Sequence, residues 1–151
     1  MNRANEIARL IENCYEVSRM MNAIEKNPKT YHTDYVLYSN EVHTLKAIAE
    51  QEGISQKELT ARMLRTKGAT SSVIDKLVKK GLVRKEVKEE DQRVTRLFVT
   101  EEGWKVHEAH MKYDMEKVQQ WMGNIGIADE KLAVASEVLE RFTDFYRKNI
   151  F

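Results

Sequence analysis

One proline and six glycines in 151 residues leave few points at which a helix must break, because these two residues are the least compatible with helix interiors. A largely helical chain is expected. A single cysteine, Cys14, excludes an internal disulfide and any cysteine-rich zinc module. It falls among Leu10, Ile11 and Val17 on the apolar face of a predicted helix, so a buried structural thiol is expected rather than a redox sensor. No stretch approaches the ~20 apolar residues that a membrane span requires. The N-terminus, MNRANEIARLIENCYEV, carries acidic residues at helical spacing, unlike an export signal. A cytoplasmic protein without a membrane partner is the expectation. Catalytic signatures are equally scarce, with no glycine-rich phosphate loop, no nucleophile elbow and no Cys–His pair at a recognisable spacing. The chain does not read as an enzyme.

What is present is charge, unevenly spread. The net charge is only +1, but Gln56–Arg96 holds 12 Lys and Arg against 6 Asp and Glu, while the remainder holds 13 basic against 18 acidic residues. A basic middle with acidic flanks suits a protein that turns one face to a phosphate backbone.

Hydrophobic spacing divides the chain into elements. Ile7, Leu10, Ile11, Cys14, Val17, Met20, Met21 and Ile24 form one helical stripe that Asn27-Pro28 terminates. A second helix, capped by Ser39 or Asn40, turns Val42, Leu45, Ile48 and Ala49 inward, and Gly53 follows it. Ser55-Gln-Lys-Glu58 fits a capping box opening a short helix with Leu59 and Met63. Thr66 caps another, with Val73, Ile74, Leu77 and Val78 inward and Gly81 as its stop. Leu82–Val87 and Val94–Val99 are β-rich runs around a polar stretch, which reads as a hairpin with a charged tip. Thr100-Glu-Glu-Gly103 starts a long helix, and a last one carries Leu132, Ala135, Leu139, Phe142 and Tyr146.

Two short helices joined by the tight Met63–Thr66 connection, followed by a hairpin, make a winged helix-turn-helix. The expected class is mainly α, with residues 39–103 as the winged helix-turn-helix lobe and residues 1–38 and 104–151 as a helical dimerisation region. Apolar helix at both termini calls for a partner, and a homodimer is expected.

The stretches Ser55-Gln-Lys-Glu-Leu, Thr70-Ser-Ser-Val-Ile-Asp-Lys-Leu-Val-Lys-Lys-Gly-Leu-Val-Arg84 and Glu90-Asp-Gln-Arg-Val-Thr-Arg-Leu-Phe-Val-Thr-Glu-Glu-Gly103 resemble the MarR family of bacterial transcription regulators. Asp91-Gln92-Arg93 and Val99-Thr100-Glu-Glu-Gly103 match the family's wing pattern, with Val99 in place of the usual leucine. The resemblance implies a sequence-specific regulator, expected to be an effector-controlled repressor, on a pseudo-palindromic duplex. The helix from Thr66 would enter the major groove. Lys67, Thr70, Ser71 and Ser72 would then reach bases or phosphates, with Lys76 further along toward the backbone. Gln56 and Lys57 would meet phosphate from the preceding helix. Arg93 would reach the minor groove, Asp91 would brace it, and Arg96 would complete the DNA-facing set. The competing class is a winged-helix protein-interaction module without specific DNA binding.

Histidines and carboxylates suggest where an effector would act. Glu41 and His43 lie on the second helix, and His107, His110 and Asp114 lie on one face of the penultimate one. The zinc-sensing branch of the family is similar here, implying Glu25, His43, His110 and Asp114 as ligands of a zinc-like ion, with Asp114 in place of a histidine. The repressors of fatty-acid synthesis genes are similar too, through Glu41-Val42-His43-Thr44 and His107-Glu-Ala-His110. That branch implies an acylated carrier protein or other acyl or small organic effector, with the histidines structural. A buried polar cluster with no ligand is the third reading.

Overall fold

The computed structural model describes residues 2–88 and 91–150. The elements run α1 (Arg3–Glu25), α2 (Ser39–Ala49), β1 (Ile54–Ser55), α3 (Gln56–Arg62), α4 (Lys67–Lys79), β2 (Val83–Lys88), β3 (Asp91–Val99), α5 (Glu101–Ile125) and α6 (Asp129–Asn149). The chain divides into two compact units, Met1–Tyr113 and Asp114–Phe151. Among the described residues no helix is long and apolar enough to cross a membrane.

The first unit holds the core. Leu45 and Ile48 of α2, Leu59 of α3, Ile74 and Leu77 of α4, Ile54 and Leu97 of the sheet, and Leu37 and Leu82 beside them are all at most 1% exposed. These three helices are thus packed around one apolar centre, closed on one side by an antiparallel sheet of order β1-β3-β2. β2 and β3 pair in register from Val83↔Val99 to Val87↔Thr95, which sends Val83, Leu97 and Val99 inward. β1 adds only Ile54↔Leu97 and Ser55↔Arg96. A two-residue strand has no periodicity, so nothing in the sequence marks this element.

The caps follow the sequence closely at α3 and α4. Ser55 Oγ accepts from the Glu58 amide at 3.2 Å while the Glu58 carboxylate accepts from the Ser55 amide at 2.7 Å. Thr66 Oγ1 accepts from the Ala69 amide at 3.2 Å. Between these helices Leu64 takes a left-handed φ of 50° to close the turn. Gly81, at φ 71°, ends α4 as expected.

Three expectations need correction. α2 begins at Ser39 behind Tyr38, so neither Ser39 nor Asn40 is its cap. The amide of Tyr38 is instead satisfied by the Glu41 carboxylate at 2.8 Å. Val78 is 36% exposed, because it sits about 100° around the helix from Leu77 and leaves the buried stripe. Cys14 is exposed, as is most of α1, which has no buried residue at all. Its apolar stripe, with Tyr15, Val17, Met20, Met21 and Ile24 each more than half exposed, covers none of this chain's own core.

In the second unit, α6 likewise buries nothing, and Val118, Trp121, Val134, Leu139, Phe145 and Tyr146 are exposed.

Candidate nucleic-acid interface

The N-terminal ends of α3 and α4 and the strand β3 enclose an open cleft of about 560 Å³ lined by Ser55, Gln56, Lys57, Thr60, Lys67, Val94 and Thr95. Three residues expected to face DNA, Gln56, Lys57 and Lys67, therefore meet at one place. Thr60, Val94 and Thr95 escape a reading of the sequence, since their apolar and hydroxyl side chains carry no charge pattern that would single them out. The N-terminal end of a helix presents unpaired amides and a positive partial charge, and here it adds to two ammonium groups.

Some basic residues of the lobe are already held by carboxylates and others are not. Arg62 pairs with Glu50, Lys80 with Glu41, Lys85 with Asp75 and Arg96 with Glu58. Lys57, Lys67 and Lys76 are exposed and, among the described residues, have no carboxylate partner. Those three are free to meet an anionic polymer. Ser72 is exposed and Ser71 partly so, both on the outer side of α4.

Two members of the expected set are built in differently. Thr70 is 1% exposed, and its hydroxyl donates to the Thr66 carbonyl at 3.0 Å. It faces the core side of α4, four residues from the buried Ile74, and does not present itself to a ligand. Arg96 donates to the Gly53 carbonyl at 3.1 Å and to Glu58 at 3.2 Å, tying β3 to the segment before α3. Glu58 is held below the usual carboxylate range, first by the Ser55 hydroxyl and amide and then by Arg96. Thr66 spends its hydroxyl on the cap already described. The side chains of Asp91 and Arg93 lie outside the described residues.

The histidines are gathered, but not as a metal centre. His110 is 1% exposed and meets Tyr31 edge-on at 5.0 Å, with the His43 ring at 5.7 Å. Tyr31 also meets Tyr113 at 5.2 Å, and Trp104 meets His107 at 5.6 Å. Glu41 is 1% exposed, with its oxygens taken by the Tyr38 amide and the Lys80 ammonium. Glu25 lies where its field acts on Arg65. Asp114 belongs to the second unit. Among the described residues no three His, Cys, Asp or Glu side chains form a group able to hold a metal ion. Of the zinc ligand set implied by resemblance, His43 and His110 lie side by side in this aromatic cluster.

His107 carries a testable consequence. Burial, and after it the charge of Lys46, push its imidazole below the ordinary value of 6.5, with Glu50 and Glu108 pulling the other way. Its Nδ1 is buried without a hydrogen-bond partner among the described residues. The unfolded chain then takes up this proton at a higher pH than the folded one. Its contribution is fully present above about 6.5 and is lost as pH falls below that value. The urea midpoint is expected to drop between pH 7.5 and 5.5, and His107→Gln to flatten that drop. An unchanged pH slope in the variant would show that this imidazole is not the group responsible.

Residues 37–95 match the sequence model of the MarR family. That segment is similar to the MarR family. The match spans α2 through the greater part of β3, so the matched segment contains the cleft and most of the core. Among curated proteins none matches the chain. Solved structures share the fold over nearly its whole length. One is a MarR protein from Peptoclostridium difficile, 22% identical, with a TM-score of 0.67 over 98% of this chain and 89% of that one. The regulator BldR from Sulfolobus solfataricus is 22% identical, with a TM-score of 0.73 over 93% of this chain and 99% of its own. Streptococcus pneumoniae FabT, solved in complex with DNA, is 23% identical, with a TM-score of 0.65 over 97% and 96%. The MarR winged helix, mainly α with a small antiparallel sheet, is therefore the fold of this protein.

Proposed function

We propose that this protein is a transcriptional repressor that binds pseudo-palindromic double-stranded DNA as a homodimer. The observation that carries the reading is the cleft at the ends of α3 and α4, where Lys57 and Lys67 stand exposed and, among the described residues, without a carboxylate partner, beside the open outer face of α4. An exposed helix N-terminus flanked by free cations is suited to seat on a phosphate backbone and to offer its first turn to base edges. Lys76, nine residues further along α4, is exposed as well and lies on the other side of the helix from Lys67. That a FabT of the same fold was solved with DNA supports this use of the face.

The dimer is supported by α1. A helix of 23 residues with an apolar stripe and no buried residue leaves Val17, Met20, Met21 and Ile24 in water unless a second copy covers them. A two-fold dimer presents two identical reading heads and so demands a near-palindromic site.

The salt dependence of duplex binding tests the proposal. Fluorescence anisotropy with a duplex from upstream of the protein's own coding sequence is expected to show affinity falling by ~10³ or more between 50 and 200 mM salt, as for a protein neutralising several phosphates. Affinity indifferent to salt would turn the lobe into a protein-docking module.

A further inference from the structure

The Glu41-Val42-His43-Thr44 stretch of α2 has no place on the DNA-facing surface, yet its side chains reach both ends of α4. Lys80, the residue that ends α4, folds back so that its ammonium donates to the Glu41 carboxylate at 2.7 Å and to the Val36 carbonyl at 2.8 Å. At the other end, Arg65 immediately precedes Thr66, the cap of α4, and its guanidinium donates to Thr44 Oγ1 at 2.9 Å. Glu41 and Thr44 stand three residues apart on α2 and share a face. Glu41 is 1% exposed and Thr44 fully buried. Two long cationic side chains therefore converge on one helix from opposite ends of another.

Neither contact is replaceable by water. A buried carboxylate needs its counter-charge in place, and the Thr44 hydroxyl, which donates to the Asn40 carbonyl, has fixed lone pairs to offer Arg65. Core packing by Ile74 and Leu77 holds α4 against α2, but apolar contact is non-directional and tolerates sliding. Two directional contacts, one at each end, remove that freedom.

We propose that Glu41 and Thr44 are positioning residues that clamp α4 at both ends and fix the angle at which its outer face meets the duplex, so that they determine sequence discrimination without touching DNA. The proposal rests on the DNA-binding reading above. A pair that merely stabilised the fold would lower the melting midpoint when broken and leave discrimination alone.

The test uses the full chain with Glu41→Gln, Thr44→Val and the double variant. The Glu41→Gln side chain keeps an acceptor for the Tyr38 amide and removes the charge from Lys80. The Thr44→Val side chain keeps the shape and removes the acceptor from Arg65. Amide hydrogen exchange is expected to quicken in the last turn of α4 in E41Q and in the first turn in T44V. In the double variant, affinity for a selected operator is expected to fall by about 5- to 100-fold, comparable to the penalty for one wrong base. Affinity for a scrambled duplex of equal length, and its salt slope, should hold. A folded double variant with wild-type exchange in α4, or with the wild-type ratio of operator to scrambled affinity, overturns the clamp. Should the double variant not fold, Arg65→Lys, which keeps the charge and shortens the reach to Thr44, is read the same way. A wild type that binds both duplexes alike removes the DNA reading instead. Unchanged exchange in α4 removes the clamp whichever way the DNA arm comes out.

Discussion

Gly103→Ala is expected to lower the melting midpoint of the protein by roughly 6–12 °C, the counterpart of about 3 kcal/mol in a chain of this size. A Cβ built at Gly103 lies 2.0 Å from the Leu82 carbonyl oxygen, 2.8 Å from Val99 Cγ1 and 3.0 Å from the Leu82 carbonyl carbon. Two of those atoms are backbone and cannot rotate away. Nor can Leu82 shift freely, since its carbonyl accepts from the Thr100 amide at 3.1 Å and its amide donates to the Leu77 carbonyl at 3.0 Å. The start of α5 is pinned to the same place, because the Thr100 hydroxyl donates to the Gly81 carbonyl at 2.6 Å and accepts from the Gly103 amide at 3.0 Å. An added methyl must push the start of α5 off the end of α4 and break at least one of these bonds. Gly68→Ala is the control: nothing lies within 4 Å of its Cβ position on α4, so it is expected to be neutral or stabilising by up to about 1 kcal/mol. Differential scanning calorimetry decides both. A Gly103→Ala midpoint within about a degree of wild type, well inside the shift expected for overpacking, would mean that α5 does not seat on Leu82 in solution.

The second large effect is on DNA. Removing both lysines of the cleft, Lys57→Ala with Lys67→Ala, is expected to weaken binding to specific and non-specific duplexes alike by roughly 10- to 100-fold near physiological salt. The slope of log affinity against log salt should shrink by about 1.8, or about 0.9 for each phosphate no longer neutralised. Both side chains are exposed and carry no carboxylate partner among the described residues, so the melting midpoint should stay where it is. Arg96→Met is the contrast. Its guanidinium bridges Gly53 and Glu58, and its removal should reach stability first. Titrations of each variant at several salt concentrations separate these outcomes. A double lysine variant with the wild-type slope would place the phosphate contacts elsewhere on the lobe.

The frame of the fold was legible where a residue acts through its immediate neighbours in sequence. The Ser55–Glu58 box, the Thr66 cap and Gly81 each solve a backbone problem within four residues, and the structure uses all three as expected. The hairpin was legible because β-rich runs flank a polar stretch. The differences share another cause. Thr70, Arg96 and Glu41 are all chemically capable of meeting a ligand, and residue type alone points them to one. Each is instead committed to a contact inside the lobe, and for Arg96 and Glu41 the partners lie up to 43 residues away. Periodicity says which face of a helix is apolar but not which polar side chain at the border of that face will find a distant partner. Cys14 shows a related limit: the stripe on α1 is apolar as read, and yet among the described residues of the first unit nothing buries it. For the cleft, charge points to Lys57 and Lys67. The strand residues Val94 and Thr95 that complete it follow only from the pairing of β3.

The central claim, that this winged helix reads double-stranded DNA as a two-fold dimer, is tested most directly by selection from a random duplex library with the wild-type protein. Sequencing of the bound fraction and the mass of the complex complete the measurement. The account predicts an enriched sequence with approximate two-fold symmetry, its half-sites about 10 base pairs apart centre to centre or a multiple of that, bound by two copies of the chain. A library that emerges from several rounds without enrichment, or a single asymmetric site bound by one copy, would contradict it.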